Sequence, residues 1–229
     1  MSLPRPEHAA EVIHKSNLWC IGHVDLAIFG DIHHLEGLLG STWQGDGRSK
    51  HDIFRWKTRT TAKGKRVALI GCLEKIWGEA GSHIIQTLHG HSRVKHVVYV
   101  AKAGSLSAKY HPNEWIATGG DCVNVANETI QWRNPLEEAS AASTRIARGS
   151  IVTVPSTLCE THNWLQEWSS KAVWVDCEVS FIAEAAVELG IDFGFLHIVS
   201  DTLDEPHEEN LSNEESDIIV TKRKGYTKK

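Results

Sequence analysis

The segment from Ala172 to Asp201 constrains this chain more than any other, because it joins a strand, a helix and a second strand and carries carboxylates at both strand ends. Ala172 to Val175 and Phe193 to Val199 are short β-branched or apolar runs, the pattern of buried strands. Between them Val179, Ile182, Ala183, Ala186 and Val187 recur at three-and-four spacing, which predicts a helix over Val179 to Leu189 that Gly190 stops. Such a unit reads as a right-handed parallel crossover. A crossover returns the chain to the same edge of the sheet, so Glu178 after the first strand and Asp201 after the second are expected in one pocket. Two carboxylates in one pocket differ in pKa, because burial and mutual repulsion raise one of them; one can then bind while the other donates a proton.

The same alternation recurs upstream. Strands are expected at Val24 to Phe29, Arg66 to Ile70, His96 to Val100 and Ile151 to Val154, with a helix over Trp77 to His89 ended by Gly90. The expected fold class is therefore α/β: a mostly parallel central sheet flanked by helices. With 229 residues, one domain spanning 1–229 is the economical reading, with an N-terminal extension over 1–16 and a polar, charged tail over 204–229. Gly40 to His51, which contains Asp46-Gly47, reads as a surface loop. Asn134 to Gly149 begins like a helix at Pro135 and loses periodicity over Ala141 to Arg148, which suggests a flap. Ligands of parallel sheets sit beyond the carboxyl ends of the strands. Those ends read Gly30-Asp31, Gly71, Gly104-Ser105, Asp176-Cys177-Glu178 and Ser200-Asp201.

Several functions are disfavoured. A net charge of -5 gives no global attraction to nucleic acid, and the basic end at Lys222 to Lys229 reads as solvated. The apolar runs are strand-sized, so no membrane span is expected, and Pro4, Pro6 and Glu7 interrupt any secretory signal. Five scattered cysteines without a C-x-x-C pair argue for reduced thiols and a cytoplasmic protein. Phosphate-loop, dinucleotide and serine-hydrolase motifs are absent. His33-His34 and His89-x-His91 lack the spacing and companions of zinc sites, so no metal is expected. Cys177 reads as an apolar filler and Asp176 as a helix N-cap. Trp43, Trp56 and Trp164 are candidates to stack on a base or to cover a subunit interface.

The stretch V-D-C-E-V-S-F-I-A-E-A-A from Val175 to Ala186, and V-S-D from Val199 to Asp201, resemble two signatures of the nucleoside phosphorylase and nucleosidase superfamily. Gly30-Asp31, Lys63 to Gly71 and Val97 to Gly104 are similar to its upstream strands and turns. The resemblance implies cleavage of the N-glycosidic bond of a purine-type nucleoside, a small-molecule substrate, by a chain that assembles as a homo-oligomer. It implies that Glu178 holds ribose hydroxyls and that Asp201 gives a proton to the departing base. It places Gly30, His34, Lys102, Gly104, Ser105, Cys177 and Ser200 around the substrate. The positions where the purine phosphorylases carry phosphate-gripping arginines read His34 and Tyr99, which removes a bidentate anion grip. Lys102, Arg48, Arg55 and Arg59 are the substitutes at hand. Hydrolysis is thus expected ahead of phosphorolysis, with no cofactor unless inorganic phosphate serves as co-substrate. For a water-activating acid in the first loop, the nearest residues are Asp31 and Glu36. The alternative is a non-catalytic or repurposed protein that binds a nucleoside-like ligand or a protein partner.

Overall fold

The computed structural model describes residues 6–32, 43–45, 52–204 and 221. His33, His34, Glu36, Arg48, nearly all of the 40–51 loop and nearly all of the 204–229 tail lie outside the described residues. The chain divides into two compact units, one made of Met1–Val100 with Phe181–Phe193, the other of Ala101–Ser180 with Gly194–Lys229.

In the first unit, α1 (Pro6–His14) and a 3-10 turn (Asn17–Ile21) precede β1 (Leu26–Gly30), β2 (Phe54–Thr60), β3 (Arg66–Cys72), α2 (Ala80–Ser92) and the start of β4 (His96–Ser105). The strand order is β2-β3-β1-β4; β1 runs parallel to both β3 and β4, and β2 is antiparallel to β3. Strand β1 is sealed between two neighbours, and its Ala27 and Phe29 are fully buried. Helix α2 buries Ile84, Ile85 and Leu88, the face its periodicity predicts. Its end differs from expectation. Gly90 stays inside the helix, and Arg93 adopts the left-handed conformation (φ 51°) with its N–H donating to the His89 carbonyl. The cap is set by chain geometry here, since Arg carries a Cβ that this region disfavours.

The second unit contains the end of β4, β5 (Ile116–Thr118), β6 (Asp121–Val123), β7 (Thr129–Gln131), α3 (Glu137–Ala141), β8 (Ile146–Arg148), β9 (Ile151–Thr153), a 3-10 turn (Thr157–Cys159), α4 (His162–Trp168) and β10 (Trp174–Asp176). Helix α5 (Val179–Glu188) begins in this unit, and β11 (Asp192–Thr202) ends in it. The strand order is β4-β10-β9-β6-β7, while β11 pairs β4 and β5, and β5 pairs β8. Parallel pairs β10-β9, β9-β6 and β5-β8 combine with antiparallel pairs β10-β4, β11-β5 and β6-β7. The fold class is α/β, as expected from the alternation of strands and helices.

Two expectations need correction. The Ala141 to Arg148 stretch is not a flap: Ile146–Arg148 forms β8 and pairs in register with β5. Three residues are too short to show alternation, so their pairing partner decides the conformation. Strands β10 and β11 also do not lie side by side as a simple crossover would have them; β4 pairs with both. The carboxyl ends of β10 and β11 are related through the last residues of β4.

Candidate active site

The site is built from four chain segments of the second unit. Asp176 closes β10, and its carboxylate takes hydrogen bonds from the backbone N–H of Val179 (2.7 Å), the N–H of Glu178 (3.2 Å) and the Thr153 hydroxyl (2.8 Å). This is cap-like bonding, and it fixes the turn into α5 with Glu178 immediately before the first helical residue, Val179. The Thr153 hydroxyl at the end of β9 also accepts from the Ser180 N–H at 3.0 Å, so one buried threonine ties β9 to both the cap and the helix. Asp176 and Glu178 are buried. Burial lifts the Asp176 carboxyl to about 6, although its three donors pull the other way.

Asp201 sits near the end of β11. Its Oδ1 accepts from the Ser200 hydroxyl at 2.6 Å, and burial nevertheless holds its carboxyl above the ordinary range. Gly104 explains why Asp201 fits where it does. A Cβ on Gly104 would lie 2.8 Å from Leu203 Cδ1, 2.9 Å from Val175 Cγ1 and 3.2 Å from Asp201 Oδ2. Gly104 pairs in register with Val175 of β10, so the absent side chain is the space in which β4, β10 and Asp201 meet. Lys102, two residues earlier on β4, is half-buried, and strand alternation gives it the same face as Gly104.

The other expected residues fall as follows. Ser105 is buried, and its hydroxyl donates to the Ser107 carbonyl at 2.8 Å, so it braces its own turn. Cys177 packs with Val154, Leu165, Trp168 and Val175 in an apolar cluster. Burial first, and then the charges of Glu178, Asp176, Glu160 and Cys159, push its thiol far up, which agrees with a filler and not a nucleophile. Gly30 belongs to the first unit. Its φ is 125°, and a Cβ there would strike the Val100 carbonyl oxygen at 2.0 Å, so close approach of the β4 backbone alone demands glycine. Tyr99, in the same unit, is buried and stacks on Phe29 with ring centroids 4.8 Å apart, which makes it a core aromatic. Arg66 donates to the His23 and Ile21 carbonyls and is thereby spent on the start of β1.

Sequence reasoning missed Glu160. It follows the Thr157–Cys159 turn, is half-buried, and has its carboxyl lifted to about 7 by burial and then by the charges of Asp201 and Asp176. Its local sequence, a polar stretch after Pro155, carries no signal beyond a turn. Only the fold brings it to the other two carboxylates.

A buried glutamate just before α5, a half-buried aspartate near the end of β11 and a third acid whose carboxyl is raised by the charges of Asp201 and Asp176 make this an acid-rich site, and the α/β fold around it is shared with solved nucleosidases. Among solved structures the chain is similar to futalosine hydrolase of Helicobacter pylori, at 15% identity and a TM-score of 0.69 over 91% of this chain and 97% of that one. It is similar to the Helicobacter pylori 5'-methylthioadenosine/S-adenosyl homocysteine nucleosidase in complex with a substituted pyrrolidin-3-ol, at 15% identity and a TM-score of 0.70 over 90% and 97%. The 5'-methylthioadenosine nucleosidase of Arabidopsis thaliana gives 15% and 0.67 over 90% and 94%. No family model and no curated protein matches the chain.

Proposed function

We propose that this protein is a nucleosidase that hydrolyses the N-glycosidic bond of a purine-type nucleoside. The observation that carries the reading is the Asp201 carboxyl, held in place by Ser200 and Gly104 and kept by burial above the ordinary acid range, in a fold shared with enzymes named as nucleosidases. Bond cleavage leaves positive charge on the sugar and negative charge on the base. Glu178, fixed just before α5 by its N–H bond to the Asp176 carboxylate, holds the ribose hydroxyls and favours the developing cation; Asp201 serves the base. Lys102 and Gly104 lie on the same face of β4, on the side where Asp201 approaches Gly104.

Hydrolysis is preferred to phosphorolysis because Tyr99, at the position of a phosphate-gripping arginine, is buried against Phe29. Water needs no such anion grip. The test is release of free base from a panel of purine nucleosides, with and without phosphate. Turnover that does not depend on phosphate and falls about 100-fold or more in Asp201→Asn is expected. Absence of turnover from every nucleoside would overturn the reading.

A further inference from the structure

We propose that the second unit carries a further binding site, separate from the carboxylate site, for a neutral polyhydroxylated ligand of monosaccharide size. This site stands apart from the nucleosidase reading and holds whether or not that reading does. A cavity of about 600 Å³ opens between the β6–β7 hairpin and the end of α4, a volume within the range of small-molecule sites. Strand β6 contributes Asp121 and Val123, which alternation places on one face, and the rest of the hairpin adds Asn127 and Thr129. Ser150, just before β9, and Glu167, Trp168 and Lys171, in or just after α4, form the remaining wall. Strands β6 and β9 run parallel, so Asp121 and Ser150 mark their amino ends. Thr153, bound to Asp176, marks the carboxyl end of β9, about 10 Å further along the strand. The cavity shares no lining residue with the site of Asp176, Glu178 and Asp201.

The hairpin wall is braced from within. Asn124 Oδ1 accepts from the N–H groups of Ala126 (3.0 Å) and Glu128 (2.9 Å), and the Asn124 carbonyl accepts from the Asn127 N–H at 2.9 Å. Asn127 takes the left-handed conformation (φ 63°), which asparagine tolerates, so Asn127 and Thr129 face the cavity across a fixed turn. The charges of the cavity are already matched. Asp121 accepts from the Ser150 hydroxyl, while the Lys171 ammonium bonds Glu167 at 2.8 Å and lies over the Trp168 ring, 4.9 Å from its centroid. An anion or a cation would have to break the Lys171–Glu167 pair, and a planar base would find the ammonium over the face of a buried Trp168. A polyol meets none of these conflicts. Its hydroxyls both donate and accept, as the site requires: Asp121 and Glu167 accept, Lys171 donates, and Asn127, Thr129 and Ser150 do both. Val123 and Trp168 supply the apolar contact that the C–H face of a sugar ring takes.

Amide shift mapping by nitrogen-15 NMR tests this, with D-glucose, D-ribose and myo-inositol as probes and inorganic phosphate and adenine as contrasts. At least one polyol should give saturable shifts at the amides of Val123, Thr129, Ser150 and Lys171. Asn127→Gly keeps the left-handed turn and removes the carboxamide, and Asp121→Asn keeps the shape and removes the charge. Each should raise the Kd of that polyol at least about fivefold. Asn127 lies in an exposed turn, so its variant decides the matter even where Asp121→Asn lowers stability. Three results would overturn the proposal: no saturable shift with any polyol, an unchanged Kd in Asn127→Gly and in every folded Asp121→Asn sample, or saturation of the cavity amides by phosphate or adenine in place of the polyols. Polyol shifts at Gly104 and Asp201 instead of the cavity would place the sugar in the carboxylate site and overturn it equally. Base release from nucleosides is measured separately, so failure of the nucleosidase reading leaves this outcome distinct.

Discussion

Gly104 and Asp201 meet across the end of β4: a Cβ on the glycine would stand 3.2 Å from Asp201 Oδ2 and closer still to Val175 and Leu203. The absence of one methyl group lets a carboxylate from β11 approach the strand that pairs with β10. Gly104→Ala should therefore push Leu203 and Asp201 aside. We expect a loss of about 1–3 kcal/mol in stability by urea unfolding and a fall in base release of at least about tenfold, since overpacking forces neighbours off their preferred rotamers. Gly64→Ala is a suitable contrast for space, because nothing lies within 4 Å of its would-be Cβ, although its φ of 75° adds backbone strain.

Thr153 ties β9 to the cap of α5 through a donated and an accepted hydrogen bond. Thr153→Val keeps the shape and leaves the Ser180 N–H and one Asp176 oxygen without that partner. A loss of about 1–3 kcal/mol is expected in chemical denaturation. Because the Thr153 hydroxyl favours the ionised aspartate, the Asp176 carboxyl should rise further, which a carboxyl NMR titration would read.

Asp176 gives stability a pH dependence of defined sign. Its folded carboxyl titrates near about 6, above the ordinary value of 3.8, so its contribution is fully present below about 4 and is lost as pH rises through 6. Asp176→Asn removes the titration. The stability of the variant relative to wild type should therefore improve between pH 4 and pH 7, measured by urea midpoints at each pH.

His197 acts in the opposite sense. It is fully buried on β11, and burial depresses its folded value to about 3 from 6.5. Its neutral form stabilises the fold above about 6.5, and that contribution is lost as pH falls toward 3, because the ring must be charged in a dry site. In His197→Phe the stability lost on acidification from pH 7 to pH 4 should be smaller than in wild type. Equal acid sensitivity of the two proteins would refute this account.

Much of the sheet was legible locally. The runs at Arg66 to Ile70 and His96 to Val100 reveal strands β3 and β4 because strands buried on both faces are continuous and apolar, and Val179 to Leu189 reveals α5 because its apolar stripe repeats at helical spacing. The short strands β5 to β8 carry no such pattern. Three residues such as Ile146–Arg148 take their conformation from the strand they pair with. Strand β2, with Arg55, Lys57 and Arg59 in alternation, hides behind its charges although Phe54 and Trp56 are buried.

The site divides along the same line. Sequence by itself determined the Asp176-Cys177-Glu178 helix start and the Ser200-Asp201 pair, because cap, carboxylate and hydroxyl lie within a few residues of one another and their hydrogen bonds are local. Only the tertiary structure decided that the end of β4 mediates between β10 and β11, that Gly104 makes room for Asp201, and that Glu160 turns toward them. Those relations depend on strand order and on contacts between residues as far apart as Gly104 and Asp201. Local periodicity carries no information about such distances, whereas the burial and like-charge repulsion that raise the Glu160 carboxyl arise only once the chain has closed upon itself.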